Sequence, residues 1–163
     1  MLQDIFPKQY HVEFTWKEPT AEDLCFVFRG YKALECLEGD HLRLPTYGEI
    51  EPWAEKFVYL FRVDEKEYFL VWLKEETLPE GYGWHIMREE REKKSKELLF
   101  AESTAHHLDI WYQANRFCGH CGTPTQHDHQ ERMLRCPKCG RVLIPRELAV
   151  GKMVDVETQL EEK

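Results

Sequence analysis

Two Cys-x-x-Cys pairs, Cys118-Gly119-His120-Cys121 and Cys136-Pro137-Lys138-Cys139, are separated by fourteen residues, and glycine follows each pair at once. No other feature limits the fold so tightly. In a thiolate knuckle the first cysteine opens a tight turn and the second closes it onto the same ion, so two knuckles supply four tetrahedral ligands. Gly122 and Gly140 accept backbone geometry that a side chain would resist. A single pair would fit a redox motif, a disulfide clip or two packing thiols; doubling at ribbon spacing favours a metal. Zinc is the favoured ion, with another metal or an iron–sulfur centre as the alternatives. Four cysteines leave no open position, so Cys118, Cys121, Cys136 and Cys139 are expected to hold a structural zinc, not a catalytic one.

The rest of the chain sets wider bounds. Its 163 residues suit one ordinary domain or two small ones, and 42% apolar with 13% aromatic content supports a true core. There is no eighteen-residue apolar run, and Met1-Leu2-Gln3-Asp4 lacks a signal-peptide start. The expectation is a cytoplasmic chain that does not enter a membrane. Cys25 and Cys36 lie among apolar residues and read as two buried free thiols, with a bridge between them as the rival reading. A net charge of −8, from 22 basic and 30 acidic residues, opposes a general nucleic-acid binder. Yet Arg116 to Arg146 holds six Lys or Arg against Asp128 and Glu131, so the acidic excess lies elsewhere.

The pattern predicts an α+β fold: a β-rich N-terminal domain over 1–87, a connecting helical segment over 88–115, a zinc ribbon over 116–146 and a tail over 147–163. Tyr10–Trp16 and Leu24–Gly30 read as strands, Lys32–Leu37 as a strand or a helix, and His41–Pro45 as a short strand. Phe57–Val63 and Tyr68–Leu73 form the clearest hairpin, across a four-residue turn Asp64–Glu67, and their near-continuous hydrophobicity predicts central strands covered on both faces. Glu75–Gly83 reads as loop and Trp84–Met87 as one more strand. Arg88–Ala114 has no proline or glycine and predicts one or two amphipathic helices, with a break allowed at Ser103-Thr104. Leu98, Ala101, Ala105, Leu108 and Tyr112 would form its apolar stripe, and Arg88–Lys94 a solvated face of i,i+4 pairs.

Outside the cysteines no residue is singled out as catalytic. His106 and His107 are adjacent and point about 100° apart on a helix, so they make no joint site. His127 and His129 flank Asp128 between the knuckles and read as surface loop, with an accessory metal or substrate contact as the alternative. His120 is not needed as a ligand. Arg135, Lys138 and Arg141 would balance the formal −2 of a four-thiolate zinc, or hold a phosphate or RNA backbone. Arg146 reads as a solvated arginine or an anion contact.

Leu108 through Cys121, continuing Gly-Thr-Pro-Thr, resembles the junction in NADH pyrophosphatases of the Nudix superfamily, where a Trp-containing helix end precedes an Arg-Phe-Cys-Gly-x-Cys-Gly-x-Pro-like knuckle. Arg135-Cys136-Pro137-Lys138-Cys139-Gly140 and Ile144-Pro145-Arg146 resemble its second knuckle and the Tyr-Pro-Arg that follows. Gly83–Glu89 is similar to the family's link out of an N-terminal β domain. The resemblance implies that domain, a zinc ribbon and homodimers. In the full enzymes it also implies a Nudix domain whose glutamates hold Mg²⁺ or Mn²⁺ for water attack on a pyrophosphate.

The family's box is Gly, five residues, Glu, seven residues, then Arg-Glu-x-x-Glu-Glu-x-Gly, and no stretch of the sequence fits it. Arg88-Glu89-Glu90-Arg91-Glu92 lacks both glycines, and Glu147-Leu148-Ala149-Val150-Gly151 replaces the family's next strand. Three readings follow. The first is a non-catalytic scaffold, dimerisation or nucleotide- or RNA-end-binding module. The second is the front portion of an NAD(H) diphosphatase completed by a missing or separate Nudix chain. The third is a zinc-ribbon nucleic-acid module.

Overall fold

The computed structural model describes residues 7–74 and 78–145. Arg146 and the tail over 147–163 lie outside the described residues. The fold is mixed α+β, with the cysteine cluster towards its C-terminal end. It divides between His106 and His107 into two compact units.

In the first unit, β1 is Tyr10–His11, β2 Leu24–Phe26, β3 Phe28–Arg29, β4 Lys32–Glu38, β5 His41–Arg43, β6 Ala54–Val63, β7 Lys66–Leu73 and β8 Tyr82–Ile86. A short helix, α1, spans Tyr47–Ile50; a long one, α2, spans Lys96–Ala114, beginning in this unit and ending in the next. One sheet has the order β1-β6-β7-β2, so β6 and β7 are central, as their hydrophobicity predicts. Val58–Phe61 and Tyr68–Val71 are buried at every position, which only a sheet covered on both faces allows. In the second sheet β4 pairs with β3, β5 and β8. Lys32 pairs with both Arg29 and Ile86, and Cys36 with both Arg43 and Tyr82, so β8 lies on the edge of β4 opposite β3 and β5.

The run Leu24–Gly30, expected as one strand, serves both sheets. Its first half, β2, runs parallel to β7, and its second half, β3, pairs with β4. Val27, where the chain crosses over, accepts the Leu34 N–H at 2.9 Å through its carbonyl. The hairpin turn is also tighter than expected: Val63 pairs with Lys66, so only Asp64 and Glu65 lie outside the ladder. Asp64 takes a left-handed φ of 51°, which aspartate tolerates better than most residues. Gln9 secures it, donating its N–H to Asp64 Oδ1 at 2.9 Å and accepting the Asp64 N–H at 2.8 Å.

The expected strand Tyr10–Trp16 shrinks to Tyr10–His11, paired with Val63 and Arg62 of β6. Phe14 instead packs on an apolar cluster of Cys25, Val27, Leu34, Ile50, Tyr59, Phe69 and Val71 that joins the two sheets. On the other side, Tyr10 meets Phe61 at 5.3 Å and Phe100 of α2 at 5.0 Å, both edge-on, an arrangement that aromatic quadrupoles favour. Cys25 and Cys36 are both free; Cys25 is buried and Cys36 half-buried.

The helical expectation over 88–114 needs two corrections. Helix α2 begins only at Lys96, and it runs through Ser103-Thr104 without a break. The Thr104 hydroxyl donates to the Phe100 carbonyl at 3.0 Å, which lets a β-branched polar residue sit inside the helix. Upstream, Glu90 has a left-handed φ of 55° that no α-helix continues, and Ser95 Oγ caps α2 by accepting the Leu98 N–H at 3.1 Å. The solvated helix face of Arg88–Lys94 is therefore absent. Lys94 is fully buried, with Nζ 2.9 Å from Glu35 Oε1 and 2.7 Å from Glu102 Oε1. The stripe of α2 also shifts, since Glu97 is buried where Leu98 was expected. Glu97 accepts the Tyr68 hydroxyl at 3.2 Å and pairs with Lys8.

Candidate metal centre

The second unit contains the end of α2 and three short antiparallel strands, β9 Gln126–His127, β10 Leu134–Arg135 and β11 Val142–Leu143, in the order β11-β10-β9. The two knuckles are built alike. The Cys118 N–H donates to the Thr123 carbonyl at 2.8 Å, and the Cys136 N–H to the Arg141 carbonyl at 2.9 Å. Gly122 N–H returns to the Cys118 carbonyl at 2.8 Å, and Gly140 N–H to the Cys136 carbonyl at 3.0 Å. Closing each turn requires a positive φ, 75° at Gly122 and 79° at Gly140, which explains the glycine after each pair.

This repetition brings the four sulfurs together, all within 4.8 Å of one another. Cys118 and Cys139 sulfurs are 3.6 Å apart, and those of Cys121 and Cys136 are 3.4 Å apart. Tetrahedral zinc with Zn–S bonds of about 2.3 Å would separate its sulfurs by roughly 3.8 Å, a value that the observed separations bracket, so these residues fit the ion. The match crosses the knuckles: each close pair joins a first cysteine to a second one. Among the described residues no other group of three or more His, Cys, Asp or Glu is placed to hold a metal.

Backbone amides aim at the sulfurs as well. The His120 N–H is 3.4 Å from Cys118 Sγ, and the Cys139 N–H is 3.4 Å from Cys136 Sγ. Donation from the Cys121 and His120 amides lowers the Cys118 pKa, and donation from the Cys139 amide holds Cys136 down at about 6. The Arg141 amide acts in the same sense on Cys139, but desolvation and the neighbouring thiols outweigh it and push Cys139 up to about 11. Without an ion, the cluster thus favours some thiolate but not four together, since like charges at this spacing repel. A divalent cation removes that conflict. Thr123 Oγ1, 3.2 Å from Cys121 Sγ, adds a hydroxyl donor for a thiolate. No spacing rule pointed to Thr123.

The three cations expected near the cluster take different places. A Cβ on Gly119 would lie 3.4 Å from Arg141 Nη1, so the Arg141 guanidinium sits against the first knuckle. Arg135 turns to the insert, with Nη2 3.9 Å from Asp128 Oδ1 and 3.8 Å from Met133 Sδ. Lys138 serves through its backbone amide, which helps to lower Cys136. The loop histidines do not reach the thiols. His127 is half-buried: its Nδ1 donates to the Asp128 carbonyl at 2.6 Å, and its Nε2 then accepts the Tyr112 hydroxyl at 2.7 Å. Arg132, buried and missed by sequence reasoning, donates to the same hydroxyl at 3.3 Å. Desolvation lowers the His127 pKa, which suits a neutral ring facing that arginine. The insert between the knuckles is thereby tied to α2 by hydrogen bonds. His106, by contrast, lies in the first unit and bonds the Gly30 carbonyl at 2.9 Å.

Comparison with known proteins fits this construction. A family described only as a domain of unknown function, DUF7479, matches residues 114–163, the stretch that carries all four cysteines. The NAD-capped RNA hydrolase NudC of Pseudomonas aeruginosa (strain LESB58) is 30% identical over 112 residues, 69% of this chain and 37% of the relative. The proteins of that name from Stutzerimonas stutzeri (strain A1501) and Chromobacterium violaceum are 32% identical over 66 residues and 39% identical over 46 residues, covering 40% and 28% of this chain and 24% and 17% of theirs. The chain thus spans at most about 37% of the length of these curated relatives. Among the described residues no helix is long and apolar enough to cross a membrane. With its β-rich first unit, its helix and its four-cysteine cluster, the chain is related to the NADH pyrophosphatases of the Nudix superfamily.

Proposed function

We propose that this chain is a zinc-stapled, non-catalytic module that binds a nucleotide or an RNA end and pairs with a second copy of itself. The closed set of four thiols carries the reading. An ion held by Cys118, Cys121, Cys136 and Cys139 would have no position left for water or substrate, so zinc would contribute folding energy and no chemistry. The 163 residues contain no Nudix box, hence no glutamate cluster of the kind that would hold Mg²⁺ or Mn²⁺ against a pyrophosphate. The ligand class is taken from the relatives, whose name identifies them as hydrolases of NAD-capped RNA.

The purified zinc-loaded chain, incubated with Mg²⁺ or Mn²⁺, should leave NADH and NAD-capped RNA intact while binding the capped RNA saturably. Release of AMP or nicotinamide mononucleotide would overturn the non-catalytic reading, and absence of saturable binding would overturn the nucleotide reading. The 37% span of the relatives favours one alternative: the front portion of an NAD(H) diphosphatase whose Nudix domain follows or lies on a separate chain. Activity restored by adding such a domain in trans would select it.

A further inference from the structure

The four clustered cysteines are alike in spacing but not in access. Cys118 is 4% exposed and Cys136 1%, Cys121 is half-buried, and Cys139 is exposed. The chain around them makes the difference. Cys136 continues the alternation of β10, in which Leu134 is buried and Arg135 exposed, so the knuckle opens on the inner side of the ribbon. Cys139 closes that knuckle among Pro137, Lys138, Gly140 and Arg141, all of them exposed. Lys138 and Arg141 also put positive charge on both sides of it along the chain.

Access decides reactivity here because coordination removes the other distinction among the sulfurs. A thiol bound to zinc is deprotonated outright, whatever its proton affinity in the metal-free chain. With the ion held, all four sulfurs would be thiolates, and attack on a small oxidant would then follow exposure and nearby positive charge. Both single out Cys139. An oxidised sulfur at that position also has a thiolate to react with, since Cys118 Sγ lies 3.6 Å away across the knuckles. That is van der Waals contact, close enough for the two to join with the ribbon still folded. An exposed thiolate beside a second cysteine is the arrangement that makes a sulfur a redox sensor.

We propose that Cys139 is a peroxide-sensitive site, and that its oxidation releases the zinc by linking Cys139 to Cys118. This rests on the zinc-stapled reading above and deepens it, by making the staple releasable. In the first step the Cys139 thiolate attacks one oxygen of hydrogen peroxide. The O–O bond breaks, the sulfur is oxidised to a sulfenic acid, and the other oxygen leaves as hydroxide. In the second step the Cys118 thiolate attacks the Cys139 sulfur; the S–S bond forms, the S–O bond breaks and a second hydroxide leaves. Two thiolates have then given two electrons to one peroxide, and the ion has lost half of its ligands.

The test uses the zinc-loaded full chain, with its metal content measured first. Hydrogen peroxide is added in stoichiometric amount, zinc release is followed with a chromophoric chelator, and free thiols are alkylated before digestion and mass spectrometry. Trypsin cuts after Lys138, so Cys136 and Cys139 fall on different peptides and the bridge can be assigned. Peroxide should release the zinc and give a Cys118–Cys139 bridge, with the buried Cys25 still free; a thiol reductant with added zinc should restore the loaded chain. Cys139→His keeps four ligands while removing the exposed sulfur, so peroxide should release its zinc about tenfold more slowly. Cys118→His should leave the Cys139 sulfenic acid unresolved, to be trapped by a cyclic 1,3-diketone. A bridge within either knuckle, or release from Cys139→His as fast as from the unaltered chain, overturns the inference and leaves the zinc reading standing. A chain that carries no zinc before peroxide is added overturns both.

Discussion

The two units are held together by different means. The first is a two-sheet body whose central strands bury Leu60, Phe61, Phe69 and Leu70 completely. From His107 onward, the buried apolar side chains among the described residues are Leu108, Tyr112, Cys118, Leu134, Cys136 and Pro145, and two of those are candidate metal ligands. Burial at about 25 cal/mol per Å² of apolar surface can sustain the first unit but offers little to a ribbon of two-residue strands. A small module of that kind needs a staple. On that reading burial stabilises the first unit, an ion held by the four cysteines would stabilise the second, and the two should fail independently.

The largest effect is expected from the ion. Zinc can contribute on the order of 10 kcal/mol to a module of this size, so chelation or Cys136→Ser should release the ribbon. Hydrogen exchange followed by residue should show amides at Gly122, Cys136 and Gly140 losing protection while β6 and β7 keep theirs. Loss of protection in both would refute the division. The converse variant is Phe69→Ala, which opens a cavity in the apolar cluster and should cost about 3–5 kcal/mol in the first unit. Zinc content should be unaffected.

A smaller but comparable loss is expected at the buried ion cluster. Lys94 lies between Glu35 and Glu102, and Lys94→Met would leave two carboxylates without a cation, at a cost of about 3–5 kcal/mol. Thermal melting across pH measures it. The smallest effect has the opposite sign. Both Glu35 carboxylate oxygens are buried without a hydrogen bond, the 2.9 Å contact with Lys94 notwithstanding, and desolvation raises the Glu35 pKa to about 7. A folded-state pKa above the ordinary 4.5 means that the native state takes up a proton between those values. Stability should therefore fall as pH rises from about 4.5 to 7 and level off above. Glu35→Gln should flatten that slope and add about 1–3 kcal/mol at pH 8.

The same contrast governs what could be read from the residues. The ribbon is local: each knuckle closes within five residues, so Gly122 and Gly140 carry its signature in sequence. The β6–β7 hairpin is local too, and only its turn was misjudged, because Asp64 can take a left-handed φ where glycine would have been the obvious sign. The parallel pairing of β2 with β7 joins residues more than forty apart, and nothing in Leu24–Gly30 marks Val27 as a crossing point. Arg88–Lys94 looks helical by composition, but Lys94 is drawn inward by Glu35, a partner remote in sequence. Tertiary electrostatics overrode propensity there. The link of Tyr112 with His127 and Arg132 escaped notice for a similar reason, since those hydrogen bonds form only once the insert folds back on α2.

X-ray absorption at the zinc edge on the purified chain, with metal content measured on the same sample, addresses the closed staple directly. One zinc per chain with four sulfur neighbours at about 2.3 Å and no oxygen shell is the expected result. Zinc below half an equivalent, or an oxygen or nitrogen in the first coordination shell, would contradict it.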